Sequence, residues 1–475
     1  MSQPRRIYLL DPKNLSPETI AVAFAKTSRS PKSFDEIASE LSDQQSANFH
    51  ERWVVGYGHS SVAEHAVLHI AVENISRLAI ECLESNRLAS YTEKSSRYQI
   101  WDEDHFFTPN ELKGTDVESL YVDTCKYLFN NYLEAVRITT DYLAKEILQK
   151  TDESERGYVN RINACSADVC RYYLPASSLA NVGVSINARA LEHAIRKMLS
   201  HPLIEVKKIG QEIKKVSIEN VPTLVKHADE NRYLTRIEND TTTLFGNHIT
   251  KKISDMDWFN CIDFDMDGEK QILSSLLYKF SNLSYQEAYE HISKLAPDQL
   301  GQAADTLLGN LDQYDIPIRE MEYANIKIDM VIDQGAYFEF KRHRMMTQTV
   351  SSFTPELGFA IPKVIENAGL LENFTRVMEK ANEAFYKIQN VNYHTAPYIL
   401  PNAYNRRVLF KMNLRTALHL LKLRTAPNAH FAIRRPAQRI AEEIRSKFPL
   451  FAKYYTFNES ESSQILEDEY FTRTS

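Results

Sequence analysis

Glycine is scarce in this 475-residue chain, at 13 in all, and no Gly-x-Gly-x-x-Gly or Walker-type loop occurs. Rossmann and P-loop nucleotide cradles are thereby excluded, because both need glycines to bring backbone N–H groups against phosphates. Cysteine is scarcer still: Cys82, Cys125, Cys165, Cys170 and Cys261 form no Cys-x-x-Cys pair and none lies in a zinc-type spacing with histidine, so no metal is expected. No apolar run reaches the ~18 residues of a membrane span, and the stretch from Met1 to Leu10 lacks the apolar centre of a signal peptide. A cytoplasmic protein with free thiols and no membrane partner is the expectation. Excess positive charge is missing too. With 56 Lys and Arg against 63 Asp and Glu, the net charge of −7 gives no global attraction for nucleic acid. Any anionic ligand must be held by arginines gathered locally.

What is present is ordinary globular material, 43% hydrophobic, 25% charged and 11% aromatic, in a chain long enough for two large cores. It also contains an internal repeat. Ser85-Asn86-Arg87 is followed by a helical pattern from Val117 to Leu148, then Tyr173-Leu174-Pro175, then Asn187-Ala188-Arg189 with His193. The same order returns as Arg342-His343-Arg344, a helical pattern from Glu372 to Val391, Ile399-Leu400-Pro401, then Asn413-Leu414-Arg415 with His419. Helices alternate with strand-like runs such as Val67–Val72 and Ile326–Ile332, so the fold class is α+β. The segment Leu234–Asp267, rich in Thr, Asp and Asn and without a clean helical period, marks the join. The expected domains are 1–235 and 236–475.

The chemistry-bearing residues cluster in these repeats. The first half carries Gly58-His59-Ser60-Ser61-Val62-Ala63-Glu64-His65, Ser76-Arg77, and Asn86-Arg87 followed by Ser90, Glu93, Ser95, Arg97 and Tyr98. The Arg-His-Arg triplet at 342–344 would be an ordinary solvated helix end on its own. Here it emerges from an apolar segment containing Phe338 and Phe340, with Met345-Met346 behind it. His59, His65, His193 and His419 have a bland reading as hydrogen-bonded structural histidines, and Cys82 as a small buried residue. Asn413 and Arg424, three helical turns apart, share a face, and Arg415 and His419 stand at a pairing distance of four residues.

Together these motifs resemble the flavin-dependent thymidylate synthase family, in two tandem, diverged copies. The first copy departs from the family signature at Ser85, Asn86 and Thr92; the second keeps Arg342, His343, Arg344 and Ser352 but has Thr347, Thr349 and Thr354. Later positions diverge in the opposite sense, with Arg171 but Met198 in the first copy, and Pro397 but Arg424 in the second. The resemblance covers roughly Trp53–Lys208 and Glu320–Lys447.

The resemblance implies a pseudo-dimer with a nucleotide site built between the copies: Glu93, Ser95, Arg97 and Arg171 from one, Arg342, Arg424 and Glu339 from the other. Arg342 and Arg424 are the implied catalytic residues. Guanidinium forks bind a phosphate dianion bidentately at every working pH, which suits Arg97, Arg171 and Arg342; Arg424 would hold the base. Ser61, Glu64, Asn187, Arg189, His343, Arg344, Asn413, Arg415 and His419 are the implied flavin contacts. The reciprocal site would lack arginine at Ser85, Met198, Thr354 and Pro397, leaving one working site per chain. The implied reaction is transfer of a one-carbon unit from methylenetetrahydrofolate to C5 of dUMP, with FAD as cofactor and NADPH as reductant, in a self-associated dimer of tandem chains. Glu339, where the family has an amide, leaves another pyrimidine nucleotide such as dCMP open. A catalytically inactive nucleotide- or flavin-binding protein is the third expectation.

Overall fold

The computed structural model describes residues 6–97, 99–245, 257–312, 314–455, 458 and 460–472; Tyr98 and residues 246–256 of the expected join lie outside them. In the first half, β1 (Val67–Ser76), α1 (Arg77–Leu83), β2 (Ala89–Glu93), α2 (Glu118–Glu146), α3 (Glu155–Cys170), β3 (Leu179–Asn187) and α4 (Ala188–Leu199) follow one another. Helix α5 (Arg232–Phe245) leads to the second half. There the order is β4 (Phe259–Phe264), β5 (Asn325–Asp333), α6 (Gln334–Phe340), β6 (Thr347–Val350), α7 (Leu371–Val391), β7 (Asn405–Asn413), α8 (Leu414–Arg424) and α9 (Phe431–Lys447).

Two antiparallel sheets result, ordered β1-β3-β2 and β4-β5-β7-β6, so the second repeats the first with β4 added at its edge. The expected strands and long helices are present, longer or shorter by a few residues. Strand alternation explains the sheets: β5 and β7 bury every second side chain, as a half-covered sheet requires. Four strand ends then serve as helix N-caps. Ser76 Oγ accepts from Ala79 N–H at 2.9 Å, Asp333 Oδ1 from Ala336 at 2.8 Å, Asn187 Oδ1 from Ala190 at 2.9 Å, and Asn413 Oδ1 from Thr416 at 2.8 Å. Each satisfies an orphan amide at the first turn and makes the strand turn into a helix at that point.

Contacts between the halves are reciprocal. Ala176 N–H donates to Leu400 O and Asn402 N–H to Leu174 O, both at 2.9 Å; Ser177 donates to Tyr398 O at 2.9 Å and Ala403 to Tyr172 O at 3.2 Å. Residues 226 apart in sequence thus exchange equivalent bonds around the Pro175–Pro401 bridge. The prolines lack N–H groups and hold their predecessors extended, which leaves the flanking residues to make the exchange. Arg87 donates to Met346 O at 3.1 Å, while Arg344, 257 positions later, donates to Ala89 O at 2.6 Å. Glu84 and Lys341, also 257 apart, face each other as a buried ion pair at 2.9 Å. One hydrophobic core runs through both halves.

The expectation that Leu234–Asp267 has no clean helical period is corrected. It holds most of α5 and all of β4, and the expected boundary at 235/236 falls inside α5. Threonine lowers helix propensity without forbidding a helix, and Tyr233, Ile237 and Leu244 recur at spacings of four and seven, a helical period hidden by the polar composition.

Candidate functional site

The loop after β2, the end of α3 and the 3-10 turn that follows it bring residues of the first half against α6 and the last turn of α8. Glu93, Arg97 and Arg171 meet Glu339, Arg342 and Arg424 there. Arg424 Nη1 donates to Glu339 Oε2 at 3.0 Å, and its Nε donates to His343 Nε2 at 2.9 Å. Arg342 lies 3.9 Å from Glu339 and 3.5 Å from Glu93, whose other oxygen is 2.6 Å from Arg77. Arg97 clasps Asp168 through Nε and Nη2 at 2.9–3.0 Å, and Arg171 approaches the same carboxylate at 3.6 Å. Ser95 Oγ accepts from Arg97 N–H at 3.2 Å and fixes the loop. Five guanidinium groups therefore share three carboxylates through ion pairs.

Burial makes this surplus consequential. Arg171 is 2% exposed, and its Nε and Nη2 have no hydrogen-bond partner among the described residues. Gly335, at the start of α6, lies beside it: a Cβ there would meet Arg171 Nη2 at an ordinary 3.6 Å, the tighter contact being Asp333 Oδ1 at 3.0 Å. Buried donors without acceptors are costly, so the guanidinium is set to receive an anion. Burial pushes the Glu339 carboxyl up, but Arg342, Arg171, Arg424 and Arg97 outweigh it and hold it below the usual range. It is an ionised acceptor. Burial and Arg424 push His343 down to about 3, so it is neutral and accepts the Arg424 bond. His430 is fully desolvated and pushed well down, with Nε2 3.2 Å from the Asp168 carbonyl.

The other residues expected from the sequence are placed as follows. His419 stacks edge-on to His343 with ring centres 5.9 Å apart. Arg344 clamps the two halves through Ala89 O and lies over the Tyr91 ring at 5.2 Å. Glu64 and Arg189 form an ion pair at 2.5 Å. Ser61 lines a cavity of about 620 Å³ with Phe24, Arg29, Trp53, His59 and His65. Asn187 and Asn413 spend their amide oxygens on capping. Arg415 is turned to Pro317 O at 2.8 Å and Glu322 at 2.7 Å, in place of the expected pairing with His419. Asn413 begins α8 and Arg424 ends it, about 16 Å apart at 1.5 Å per residue, so the shared wall is long.

Sequence reasoning missed Asp168, which holds two of the arginines, and His430 behind it. Asp168 stands three residues before Arg171, a helical pairing distance that could have exposed it. Nothing local marks His430. Arg77, noted only as part of a Ser-Arg pair, is the partner that neutralises Glu93.

The family model for thymidylate synthase complementing protein matches residues 10–223 and 274–450, more than the sequence motifs alone delimited. A UPF0159 protein of Chlamydia muridarum is 26% identical over 449 residues, covering 90% of this chain and 85% of the relative. A flavin-dependent thymidylate synthase of Clostridium tetani is 29% identical over 209 residues, covering 42% of this chain and 82% of the relative. Among solved structures, a Helicobacter pylori flavin-dependent thymidylate synthase complexed with FAD and dUMP aligns with a TM-score of 0.30 at 17% identity, over 45% of this chain and 96% of that one. A UMP/dUMP methylase from Streptomyces cacaoi bound with 5-Br dUMP aligns at 0.35 and 14%, over 42% and 93%. With both halves matched by one family model, the chain belongs to the thymidylate synthase complementing protein family.

Proposed function

We propose that this chain is a flavin-dependent, thymidylate synthase-type enzyme in which two tandem copies of one fold pair in cis as a pseudo-dimer and assemble a single pyrimidine nucleotide site between them. Reciprocal hydrogen bonds at offsets of 226 and 257 support the pseudo-two-fold relation, since an isologous contact exchanges equivalent bonds. The length of the Clostridium tetani relative, most of which matches under half of this chain, supports the duplication. The observation that carries the reading is the buried Arg171 guanidinium, whose Nε and Nη2 have no hydrogen-bond partner among the described residues, in a cluster contributed by both copies.

Arg97, Arg171 and Arg342 bind the nucleotide phosphate: the loop arginine at the rim, Arg171 at the floor and the half-exposed Arg342 opposite. Arg424 and Glu339 orient the base. Glu339 accepts and Arg424 donates, so the pair offers both halves of an amide-like contact, with His343 fixing the guanidinium plane. A flavin would draw on His343 and His419 beside the base position and on Ser61, Trp53 and Arg29, which line a separate 620 Å³ cavity of the first half. Bound FAD supplies hydride chemistry with NADPH as reductant and methylenetetrahydrofolate as carbon donor, which requires no cysteine nucleophile. A dimer of chains restores four units.

A second reading, action on another pyrimidine nucleotide such as dCMP, is favoured by the ionised Glu339, which can accept from an exocyclic amine. Tritium release from dUMP or dCMP labelled at C5, with FAD, NADPH and methylenetetrahydrofolate, tests both. Release from dUMP with a methylated product is expected; release from dCMP alone selects the second reading. Release from neither, with dUMP still bound, leaves a binding protein, and absence of dUMP binding overturns the site.

A further inference from the structure

The positions that answer to the arginine site by the repeat offsets open onto a cavity of their own. Ser85, Thr354 and Pro397, counterparts of Arg342, Arg97 and Arg171, line about 500 Å³, a volume typical of small-molecule sites. Leu78, Tyr337, Phe353, Phe385 and Tyr393 form an apolar wall, and Ser351, Ser352 and Thr354 are part of the polar lining.

Two charged features replace the lost guanidinium groups. Lys197, one residue before the Arg424 counterpart Met198, donates to Ser85 Oγ and to Asn86 Oδ1 at 2.9 Å, both neutral oxygens. Burial pushes its ammonium group below the usual lysine range. Arg406 also lines the cavity, but its guanidinium is committed: Nη1 donates to both Glu81 oxygens at 2.8–2.9 Å and to Gln334 at 3.2 Å, and Nη2 to Ser351 O at 2.8 Å. Glu81 and Arg406 pair with each other, which leaves Lys197 and the imidazole of His394 as the other cationic groups among the described lining residues. His201 adds a neutral donor. Its Nδ1 accepts from Leu203 N–H at 3.2 Å, so the proton sits on Nε2, and burial pushes the ring down to about 4. An ammonium without a guanidinium fork suits one negative charge better than a phosphate dianion. Flat aromatic walls suit a flat apolar body.

We propose that this cavity is a second small-molecule site, which takes a planar aromatic monoanion with its charge on Lys197 and its ring among Tyr337, Phe353 and Phe385. The inference does not depend on the nucleotide reading of the arginine site. Calorimetric titration of the full chain with 2-naphthoate, and with 2-naphthol as its neutral counterpart, tests it. One 2-naphthoate per chain is expected, bound about tenfold more tightly than 2-naphthol, the scale of one charge-assisted hydrogen bond. Lys197→Met removes that advantage and leaves 2-naphthol unchanged. Ser352→Trp, at an exposed position on the rim, blocks both ligands without disturbing the core. Arg342→Met leaves 2-naphthoate binding intact. No saturable binding, binding that survives both Lys197→Met and Ser352→Trp, or loss in Arg342→Met would overturn the proposal. Failure of the nucleotide reading would show separately, as absent dUMP binding beside an unchanged 2-naphthoate isotherm.

Discussion

Glu93, Arg97 and Arg171 face Glu339, Arg342 and Arg424 across one side of the contact between halves; on the other side the counterpart positions hold Val350, Thr354 and Pro397 against Cys82, Ser85 and Met198. The backbone around both sides is alike, with the same strand order and the same capped strand ends. The side chains have separated into a guanidinium cluster and an aromatic cavity with one ammonium group. In a homodimer both sides would be identical, because each subunit carries both sets of residues. On the proposed reading, duplication within one chain frees the two sets from each other, so the positions that answer to Arg342, Arg97, Arg171 and Arg424 need not keep their arginines and hold Ser85, Thr354, Pro397 and Met198.

The ion pair between Glu84 and Lys341 carries the same lesson. Equivalent positions face each other there, and in a contact between identical subunits the same residue would oppose itself. Here they are opposite charges, 6–7% exposed at 2.9 Å. Lys341→Glu places two buried carboxylates together and is expected to destabilise by roughly 3–5 kcal/mol, the usual cost of breaking a buried pair. The exchange Glu84→Lys with Lys341→Glu should recover more than half of that in thermal or denaturant unfolding. Failure to recover would break the equivalence of the two positions.

At the arginine side, Arg171→Met is expected to weaken dUMP binding roughly a hundredfold, since one buried charged contact to a ligand is worth about 2–5 kcal/mol. Pro397→Ala, at the counterpart position, should leave it unchanged. Equal effects in a calorimetric titration would erase the contrast between the sides. Glu339→Gln sharpens the base assignment, with an expected shift of about tenfold in the dUMP to dCMP affinity ratio.

Much of the comparison was legible in the sequence, for physical reasons that differ residue by residue. The strands around Val67 and Ile326 and the two long helices announce themselves by local apolar period, and Arg97, Arg171, Arg342 and Arg424 by motif. The two Leu-Pro segments were legible as elements of the repeat, while only the structure shows that the halves touch there through reciprocal bonds. Asp168 and His430 were not legible as a pair, because 262 residues separate them and only the packing between halves brings them together. Asn187 and Asn413 were read toward a cofactor when their nearest amide is that of their own helix. Lys197 and Arg406 gave no signal, since neither belongs to a motif. Helix α5 was masked by its threonines.

A smaller effect concerns His343. Its folded value of about 3 lies below the ordinary histidine value of 6.5, so the unfolded chain binds more protons in between, and this group's contribution to stability rises with pH from about 3 to 6.5. His343→Gln should flatten the pH dependence of the unfolding midpoint in that window and leave it unchanged above it. The smallest change is expected from Arg415→Ala. Its pair with Glu322 is about 30% exposed on both sides, and nucleotide affinity should stay within error.

The assembly of one nucleotide site from two unlike halves is tested most directly by the stoichiometry of dUMP binding to the intact chain, read by calorimetry on the wild type and on Arg171→Met and Arg342→Met. One dUMP per chain, with binding lost on removing an arginine from either half, is the expected result. Two dUMP per chain, or a site that survives loss of one half's arginine, would contradict it.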